Sequence, residues 1–112
     1  MSQDLTPVHE TGIAASYHSD RWSKDLVNAA RGASAGFSLG VALYTSDKFG
    51  ELQVHDDQEA VYVVSGVGEI TIGGKLFPVR PGSAAYIPKG TPHATRRTSD
   101  EPVKVIYAHG QP

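Results

Sequence analysis

The residues with the clearest potential for chemistry lie in one polar stretch near the middle of the 112-residue chain. Gln53, His55 and Glu59 precede an apolar run at residues 61–64. Alternate side chains of an extended chain share one face, so the three polar side chains could converge if the backbone stays extended or turns tightly at residues 56–58. Imidazole and carboxylate groups are common ligands of divalent metals. The stretch therefore has the outline of a metal site.

A second stretch supplies another imidazole. Gly82-x5-Pro88-x-Gly90-x2-His93 reads as a strand, a turn containing proline and glycine, and a histidine at the start of a further strand. Two imidazoles and one carboxylate suit Fe(II), and similar sets of nitrogen and oxygen ligands hold Mn, Ni, Co or Zn with positions open for substrate. We predict one inward-facing site built from both stretches.

The proposed ligands have alternative interpretations. His55 stands beside two aspartates and could be a solvated turn histidine, and Glu59 could be an exposed carboxylate at a strand end. However, Glu59 shares its parity with apolar residues of the 61–64 run, and a carboxylate that faces a core needs a partner to offset desolvation. Gln53 has only a weakly donating amide oxygen, so it could ligate a metal, bond a bound water or contact substrate.

Several further residues could take part in chemistry. Tyr62 and Tyr107 would be catalytic acids if they point into the interior, although a single β-bulge would reverse their facing. Arg97 shares parity with His93 and could reach an anionic ligand or lie exposed beside its arginine neighbour. Three histidines near the chain ends are interpreted as solvated: His9, His18 and His109.

The elements that must position these residues are strands. From residue 36 the hydrophobic period is two, which predicts a strand whose buried face carries Phe37, Leu39, Val41 and Leu43. Turn signals recur at short intervals, and Gly73-Gly74 predicts a two-residue hairpin with positive φ. Residues 23–32 are the one helix candidate, with a loop or edge strand as the alternative. These patterns leave a jelly roll, an immunoglobulin-like sandwich and an open barrel as possible folds.

Taken together, the two polar stretches resemble the paired motifs of the cupin family, Gly-x5-His-x-His-x3–4-Glu-x6-Gly and Gly-x5-Pro-x-Gly-x2-His-x3-Asn. The motif positions for the second histidine, the glutamate, the closing glycine and the later histidine are held by His55, Glu59, Gly66 and His93. The resemblance covers residues 36–108. The chain departs from it where the first histidine, the opening glycine and the final asparagine are replaced by Gln53, Asp47 and Arg97.

The resemblance implies an all-β, antiparallel jelly roll, with residues 1–35 as an N-terminal arm, residues 36–108 as the cupin barrel and residues 109–112 as a tail. It also implies one divalent metal ion (Fe, Mn, Ni, Co or Zn), held by His55, Glu59 and His93, with Gln53 adjoining. Cupins often pair, so we expect a homodimer to which the first twenty or so residues contribute contacts.

Three functions fit the resemblance. The first is a metal-dependent enzyme acting on a small polar molecule, most simply a dioxygenase, with isomerases and lyases as further reactions. The second is a metal-free dehydratase or isomerase that uses His55 as general base and a tyrosine as acid. The third is a non-catalytic module that binds or senses a small ligand. Metal content separates the first from the others.

Composition excludes other classes of function. The chain length suits one domain, and a net charge of −2 without a basic stripe argues against nucleic-acid binding. The absence of cysteine excludes disulfides, zinc–thiolate sites and thiol nucleophiles. No apolar run is long enough to span a bilayer, and residues 1–4 lack a secretory signal pattern, so we expect a cytoplasmic protein without a membrane partner.

Overall fold

The structure is a computed structural model that describes residues 4–112; the first three residues of the expected N-terminal arm lie outside this range. The described chain forms nine strands: β1 Ser16–Tyr17, β2 Arg21–Val27, β3 Ser38–Tyr44, β4 Gln58–Ser65, β5 Gly68–Ile72, β6 Lys75–Val79, β7 Ala84–Ile87, β8 His93–Arg97 and β9 Val103–Gly110. Its two helical segments are single 3-10 turns, Glu10–Gly12 and Ala29–Arg31. In the same range, no helix is long and apolar enough to cross a membrane.

The strands pair antiparallel in two sheets. The larger sheet has the order β1-β2-β3-β9-β4-β7 and the smaller has the order β6-β5-β8. The core between them is built from alternate side chains of β3, β4 and β9, among which Val63, Val103 and Val105 are almost completely buried. Sheets that are apolar on one face bury it by packing together, and the predicted antiparallel jelly roll is confirmed.

The hairpin between β5 and β6 is the one predicted from Gly73-Gly74. Its central residues have φ of +58° and +83°, and Ile72 pairs with Lys75 across the turn. Only glycine takes up this left-handed conformation without a steric cost from Cβ, so the turn fixes the register of the two strands.

The buried face predicted for β3 is wrong at its first half. Phe37 is 59% exposed and Leu39 is also exposed, whereas Gly40, Ala42 and Tyr44 face the interior. Beside the first half of β3 the interior is a polar cavity, so the small residues Ser38 and Gly40 face inward and the apolar Leu39 faces outward. In the second half, Ala42 and Tyr44 also belong to the apolar core. In the first half of β3, the alternating apolar residues therefore lie on the outer surface.

The helix predicted at residues 23–32 is also wrong, and the strand alternative is the one observed. β2 pairs with β3 from Arg21 to Val27, and only Ala29–Arg31 turns helically before Gly32 ends it at φ +94°. A short isolated helix is marginal, whereas a strand beside β3 satisfies its backbone through the sheet. Residues that were expected to form an arm thus supply β1 and β2 of the larger sheet.

Candidate functional site

Backbone hydrogen bonds join the two motif stretches directly. Gln53 and His93 form an isolated antiparallel bridge with N···O distances of 2.8 and 3.0 Å. The Gly90 amide donates to the carbonyl of His55 at 2.8 Å. These bonds fix the segment before β4 against the turn before β8, which brings the predicted ligands to one end of the jelly roll.

Glu59 is the centre of the site. It is the second residue of β4, only 9% exposed, and its side chain points between the sheets. Its Oε1 atom lies 3.2 Å from Nε2 of His93 and 3.7 Å from Nε2 of His55. Its Oε2 atom lies 3.6 Å from Nε2 of His109. One buried carboxylate is therefore surrounded by three imidazoles.

Two of the imidazoles are oriented by hydrogen bonds on their far sides. Nδ1 of His93 is 2.9 Å from the carbonyl of Thr91, and Nδ1 of His109 is 3.1 Å from Oδ1 of Asp57. Since a carbonyl or carboxylate oxygen only accepts, each Nδ1 donates to its partner, and Nε2 is the ring atom left facing Glu59. Partners of this kind commonly orient histidines that bind metals.

His109 joins the site although the sequence does not predict it there. It was interpreted as a solvated tail residue, but it lies in β9 and its side chain is only 16% exposed. One ligand atom from each of His55, Glu59 and His109 lies within 4.8 Å of the other two. The inward alternation of residues 103, 105 and 107 continues to residue 109, so the signal was present in the strand pattern.

The electrostatics differ between the two motif histidines. Burial lowers the pKa of His55, and the neighbouring imidazoles of His93 and His109 lower it further, against the opposing effect of Glu59. Burial also acts to lower the pKa of His93, but the adjacent Glu59 carboxylate and the Thr91 carbonyl outweigh it and the net shift is upward. His55 is therefore held as neutral imidazole, the form that binds a metal or accepts a proton.

The donor set fits a divalent metal. Oε1 of Glu59 and Nε2 of His93 are buried, face each other at 3.2 Å and make no hydrogen bond within residues 4–112. Buried polar atoms without partners are costly. A cation among these nitrogen and oxygen atoms would satisfy both and balance the carboxylate charge.

A polar cavity of about 320 Å³ opens beside this cluster, with Glu59, His55 and His109 in its lining. β2 contributes Arg21, Ser23 and Asp25, which are alternate residues and so share the inner face of the strand. All three lie where the sequence predicts an arm or a helix, so none of them is a predicted site residue. The weak signal in the sequence is the alternation of these residues with their neighbours, which is typical of a strand with one inward face.

Tyr107 reaches the cavity, as one of the two predicted tyrosines. Its hydroxyl donates to Oδ1 of Asp25 at 2.6 Å, and burial together with this carboxylate raises the pKa of Tyr107. Gly40 lies opposite Tyr107 in the β3–β9 pair, and a Cβ at Gly40 would be 2.3 Å from the Tyr107 oxygen. The bare backbone of Gly40 leaves the space that the ring occupies.

The structure does not bring Tyr62 to the site. Tyr62 is on the opposite face of β4 from Glu59, 49% exposed, and does not line the cavity. The register shift in β4 falls between Val63 and Ser65, beyond Tyr62, so it does not reverse the facing of this residue. The catalytic role predicted for Tyr62 is corrected accordingly.

Gln53 and Arg97 have different outcomes. Gln53 lines the cavity, and its side-chain nitrogen is buried without a hydrogen-bond partner in the described chain. Arg97 instead holds loops together, because its Nε donates to the Thr45 carbonyl at 2.9 Å and its Nη1 to the Ser99 carbonyl at 2.8 Å. Arg97 is not among the residues that line the cavity.

The family model described as a Cupin domain matches residues 43–109, which is more than half of the chain. The chain belongs to the cupin family. Among curated proteins, this cupin is 30% identical over 78 residues to L-ectoine synthase of Aliivibrio fischeri (strain MJ11), covering 69% of this chain and 61% of that protein. It is 32% identical over 81 residues to quercetin 2,3-dioxygenase of Bacillus subtilis, covering 70% of this chain and 24% of that protein.

A solved structure with the same fold is that of the polyketide cyclase RemF from Streptomyces resistomycificus. It superposes with a TM-score of 0.82 at 20% identity, covering 96% of this chain and 80% of that one. This cupin thus spans about three fifths of the L-ectoine synthase and a quarter of the dioxygenase. The similarities establish the family and the jelly roll, and they include more than one enzyme class.

Proposed function

We propose that this cupin is a metal-dependent enzyme that performs acid–base chemistry on a small polar molecule in the cavity. The observation that carries the proposal is the buried Glu59 carboxylate surrounded by three imidazoles at the cavity wall. The residues that would hold the ion are His55, Glu59, His93 and His109, with Gln53 adjoining. When bound, a divalent ion such as Fe, Mn, Ni, Co or Zn supplies Lewis-acid polarisation of a substrate oxygen.

The residues around the proposed ligands orient the imidazoles and hold protons at defined atoms. Thr91 and Asp57 keep the protons of His93 and His109 on Nδ1, so both Nε2 atoms stay available as ligands. Tyr107 retains its proton because burial and Asp25 raise its pKa. Tyr107 has one hydroxyl proton, which it donates to Asp25, and it would stabilise a developing substrate oxyanion by turning this hydrogen bond from Asp25 to the substrate.

Two observations favour a second reaction class, an oxygen-dependent cleavage. The similarity to quercetin 2,3-dioxygenase covers 70% of this chain, and sets of histidine and carboxylate ligands with open positions also occur in oxygenases. Consumption of dissolved oxygen during turnover separates the two candidates, because proton transfer and elimination require none.

A metal-free reaction is the remaining enzymatic alternative. The lowered pKa of His55 leaves its imidazole neutral, which suits a general base, and Tyr107 would be the acid. A non-catalytic binding cupin would retain the cavity without turnover. Metal content distinguishes a metal-dependent enzyme from the other two, and turnover distinguishes a metal-free enzyme from a non-catalytic binding protein.

We further propose that the protein forms a homodimer through the outer face of the larger sheet. Four large apolar residues remain exposed on this face: Leu39, Tyr62, Val64 and Tyr86. Contiguous exposed apolar surface commonly marks an interface, and a sheet face can pair with its own copy about a two-fold axis. Residues that precede β1 contact the same sheet, since Nζ of Lys24 donates to the Glu10 carbonyl at 2.8 Å.

The proposed function is tested by elemental analysis of protein purified without chelator or nickel resin, followed by metal titration of the chelated protein. We expect a stoichiometric divalent ion in the parent and its loss in Glu59→Gln. His18→Gln is the matched control, because His18 is exposed and lies outside the cavity. A folded parent that binds none of the five ions would refute the metal proposal.

A further inference from the structure

Arg21 stands out among the cavity residues by its charge. It is the first residue of β2 and the one lysine or arginine among the residues that line the cavity in the described chain. Three carboxylates share the same lining: Asp25, Asp57 and Glu59. The cavity therefore has a single fixed cation, placed at the opposite end of the β2 row from Asp25, about 13 Å away along an extended strand.

Asp20 holds the guanidinium in place. Nη1 of Arg21 donates to Oδ1 of Asp20 at 2.9 Å, and the two side chains are 16% and 5% exposed. Gly50 packs on the same carboxylate, since a Cβ at Gly50 would lie 2.7 Å from the Asp20 Cγ and Oδ2 atoms. The Asp20 carbonyl in turn accepts from the Thr45 amide at 3.0 Å. Asp20 is thus a buried residue held by its neighbours, and it fixes the position of the Arg21 guanidinium.

The guanidinium has donors left over for a ligand. Within residues 4–112 the Arg21 side chain makes one hydrogen bond, the one to Asp20. A guanidinium carries five N–H groups in a planar fork, which matches the two oxygens of a carboxylate. An arginine that served only to neutralise Asp20 would need no access to the cavity, whereas Arg21 is part of its wall.

We propose that Arg21 binds a carboxylate group of the substrate, with Asp20 as the residue that positions it. This substrate class rests on the proposed function, because it assigns the ligand of the same cavity. A singly charged carboxylate fits better than a phosphate, because one arginine would have to offset a dianion beside three carboxylates. The substrate is accordingly a small monocarboxylic acid whose reacting part lies toward His55 and Glu59.

The test uses butyrate as the probe, butyramide as its uncharged analogue and inorganic phosphate as the more highly charged comparison. All three are titrated by calorimetry into the full chain, in the chelated form and again after loading with Zn²⁺. We compare the parent with Arg21→Gln, Arg21→Lys and the control Arg80→Gln, whose side chain is exposed and outside the cavity. Circular dichroism and thermal unfolding establish that each variant is folded.

In the chelated protein we expect butyrate to bind more tightly than butyramide, and Arg21→Gln to weaken butyrate by about tenfold or more without affecting butyramide. Arg21→Lys keeps the charge beside Asp20 but lacks the fork, so it should be intermediate and provides the test if the glutamine variant does not fold. The affinity for Zn²⁺ should remain unchanged in both.

Equal butyrate affinity in the parent and Arg21→Gln would overturn the inference, as would the absence of butyrate binding to the parent or tighter binding of inorganic phosphate than of butyrate. Because butyrate binding is also measured in the chelated, metal-free protein, failure of the carboxylate site can be distinguished from failure of the metal proposal. If no form binds Zn²⁺ but Arg21→Gln still loses butyrate, the metal proposal fails and the carboxylate site stands.

Discussion

Nε2 of His109 lies 3.6 Å from Oε2 of Glu59, on the other carboxylate oxygen from the one that faces His93. β9 therefore contributes an imidazole to a cluster that is otherwise built from the two cupin motifs. This contribution matters because the first motif has Gln53 where the family pattern has a histidine. A chain that lacks one motif histidine still places three imidazoles around its buried carboxylate.

The first prediction compares the two unusual members of the site. His109→Ala should weaken metal binding by about two orders of magnitude or more, because even partners that only orient a ligand are worth about 10- to 100-fold. Gln53→Ala should cost much less, since an amide oxygen is a weaker donor than imidazole. Competitive titration with a metal indicator measures both.

His18→Gln provides the control for this comparison, because it removes an exposed imidazole outside the cavity. Gln53→His should tighten binding by adding a fourth imidazole, although it also fills space that a substrate would use. If His109→Ala bound as tightly as the control, the assignment of β9 to the metal site would be wrong.

The second prediction concerns the space beside Tyr107. Gly40→Ala places a methyl group 2.3 Å from the Tyr107 oxygen and 2.6 Å from the Lys24 carbonyl, so rotation of one side chain cannot relieve the clash. We expect a loss of about 1–3 kcal/mol in the free energy of unfolding and displacement of Tyr107 from Asp25. Denaturant unfolding and tyrosine absorbance titration are the measurements.

Gly110→Ala is the matched control for Gly40→Ala, since Gly110 is also in a strand but has open space at its Cβ position. The two variants should differ clearly in stability. Similar unfolding free energies would mean that the β3–β9 pairing leaves more room for Tyr107 than the 2.3 Å approach at Gly40 indicates.

The third prediction tests the hairpin between β5 and β6. Gly73→Val and Gly74→Val force a branched side chain into positive φ, so each should lower the free energy of unfolding by about 1 kcal/mol or more. Gly12→Val is the control, because Gly12 has neither a positive φ nor a close neighbour at its Cβ position. Parent-like melting of both hairpin variants would contradict the observed turn.

Particular residues show how far the sequence alone reaches. The motif spacing predicted the convergence of His55, Glu59 and His93, because short-range strand parity and the turn before β8 determine their facing. The same reasoning failed for Arg21, since pairing with β3 decides that its segment is a strand. His109 was not predicted as a site residue because the predicted barrel ends at residue 108. β9 continues two residues further, to Gly110, and the inward alternation continues with it.

The fourth prediction concerns pH and the segment before β1. Nζ of Lys104 donates to Oε1 of Glu10 at 2.7 Å, and this bond holds the pKa of Glu10 below its ordinary value of 4.5. A lowered pKa means that the contact stabilises the fold above that ordinary pKa, and the stabilisation is lost as the pH falls through the lower folded pKa. The contribution is under about 1 kcal/mol because both groups are partly exposed.

Glu10→Gln should therefore lower the melting temperature slightly at neutral pH and leave it unchanged at a pH below the folded pKa of Glu10. Thermal unfolding at several pH values measures the difference from the parent. Glu51→Gln removes an exposed carboxylate and should show no such trend. A difference that grows toward acid would have the wrong sign for the contact.

The fifth prediction tests the proposed homodimer. Tyr62→Lys introduces a charge at the centre of the exposed apolar face of the larger sheet, so it should shift the protein toward monomer in light scattering. Leu76→Lys is the control, because Leu76 is similarly exposed but belongs to β6 of the smaller sheet. A monomeric parent, or a dimer that only Leu76→Lys disrupts, would contradict this choice of interface.

The position of β9 has a consequence for biosynthesis. β9 is the last strand along the described chain, yet it pairs between β3 and β4 and carries Tyr107 and His109 into the cavity. On the ribosome, β3 and β4 emerge long before the strand that joins them, so no nascent intermediate presents the complete cluster. Capture of a metal ion by His109 and Glu59 would consequently require that β9 has been synthesised and has paired between β3 and β4.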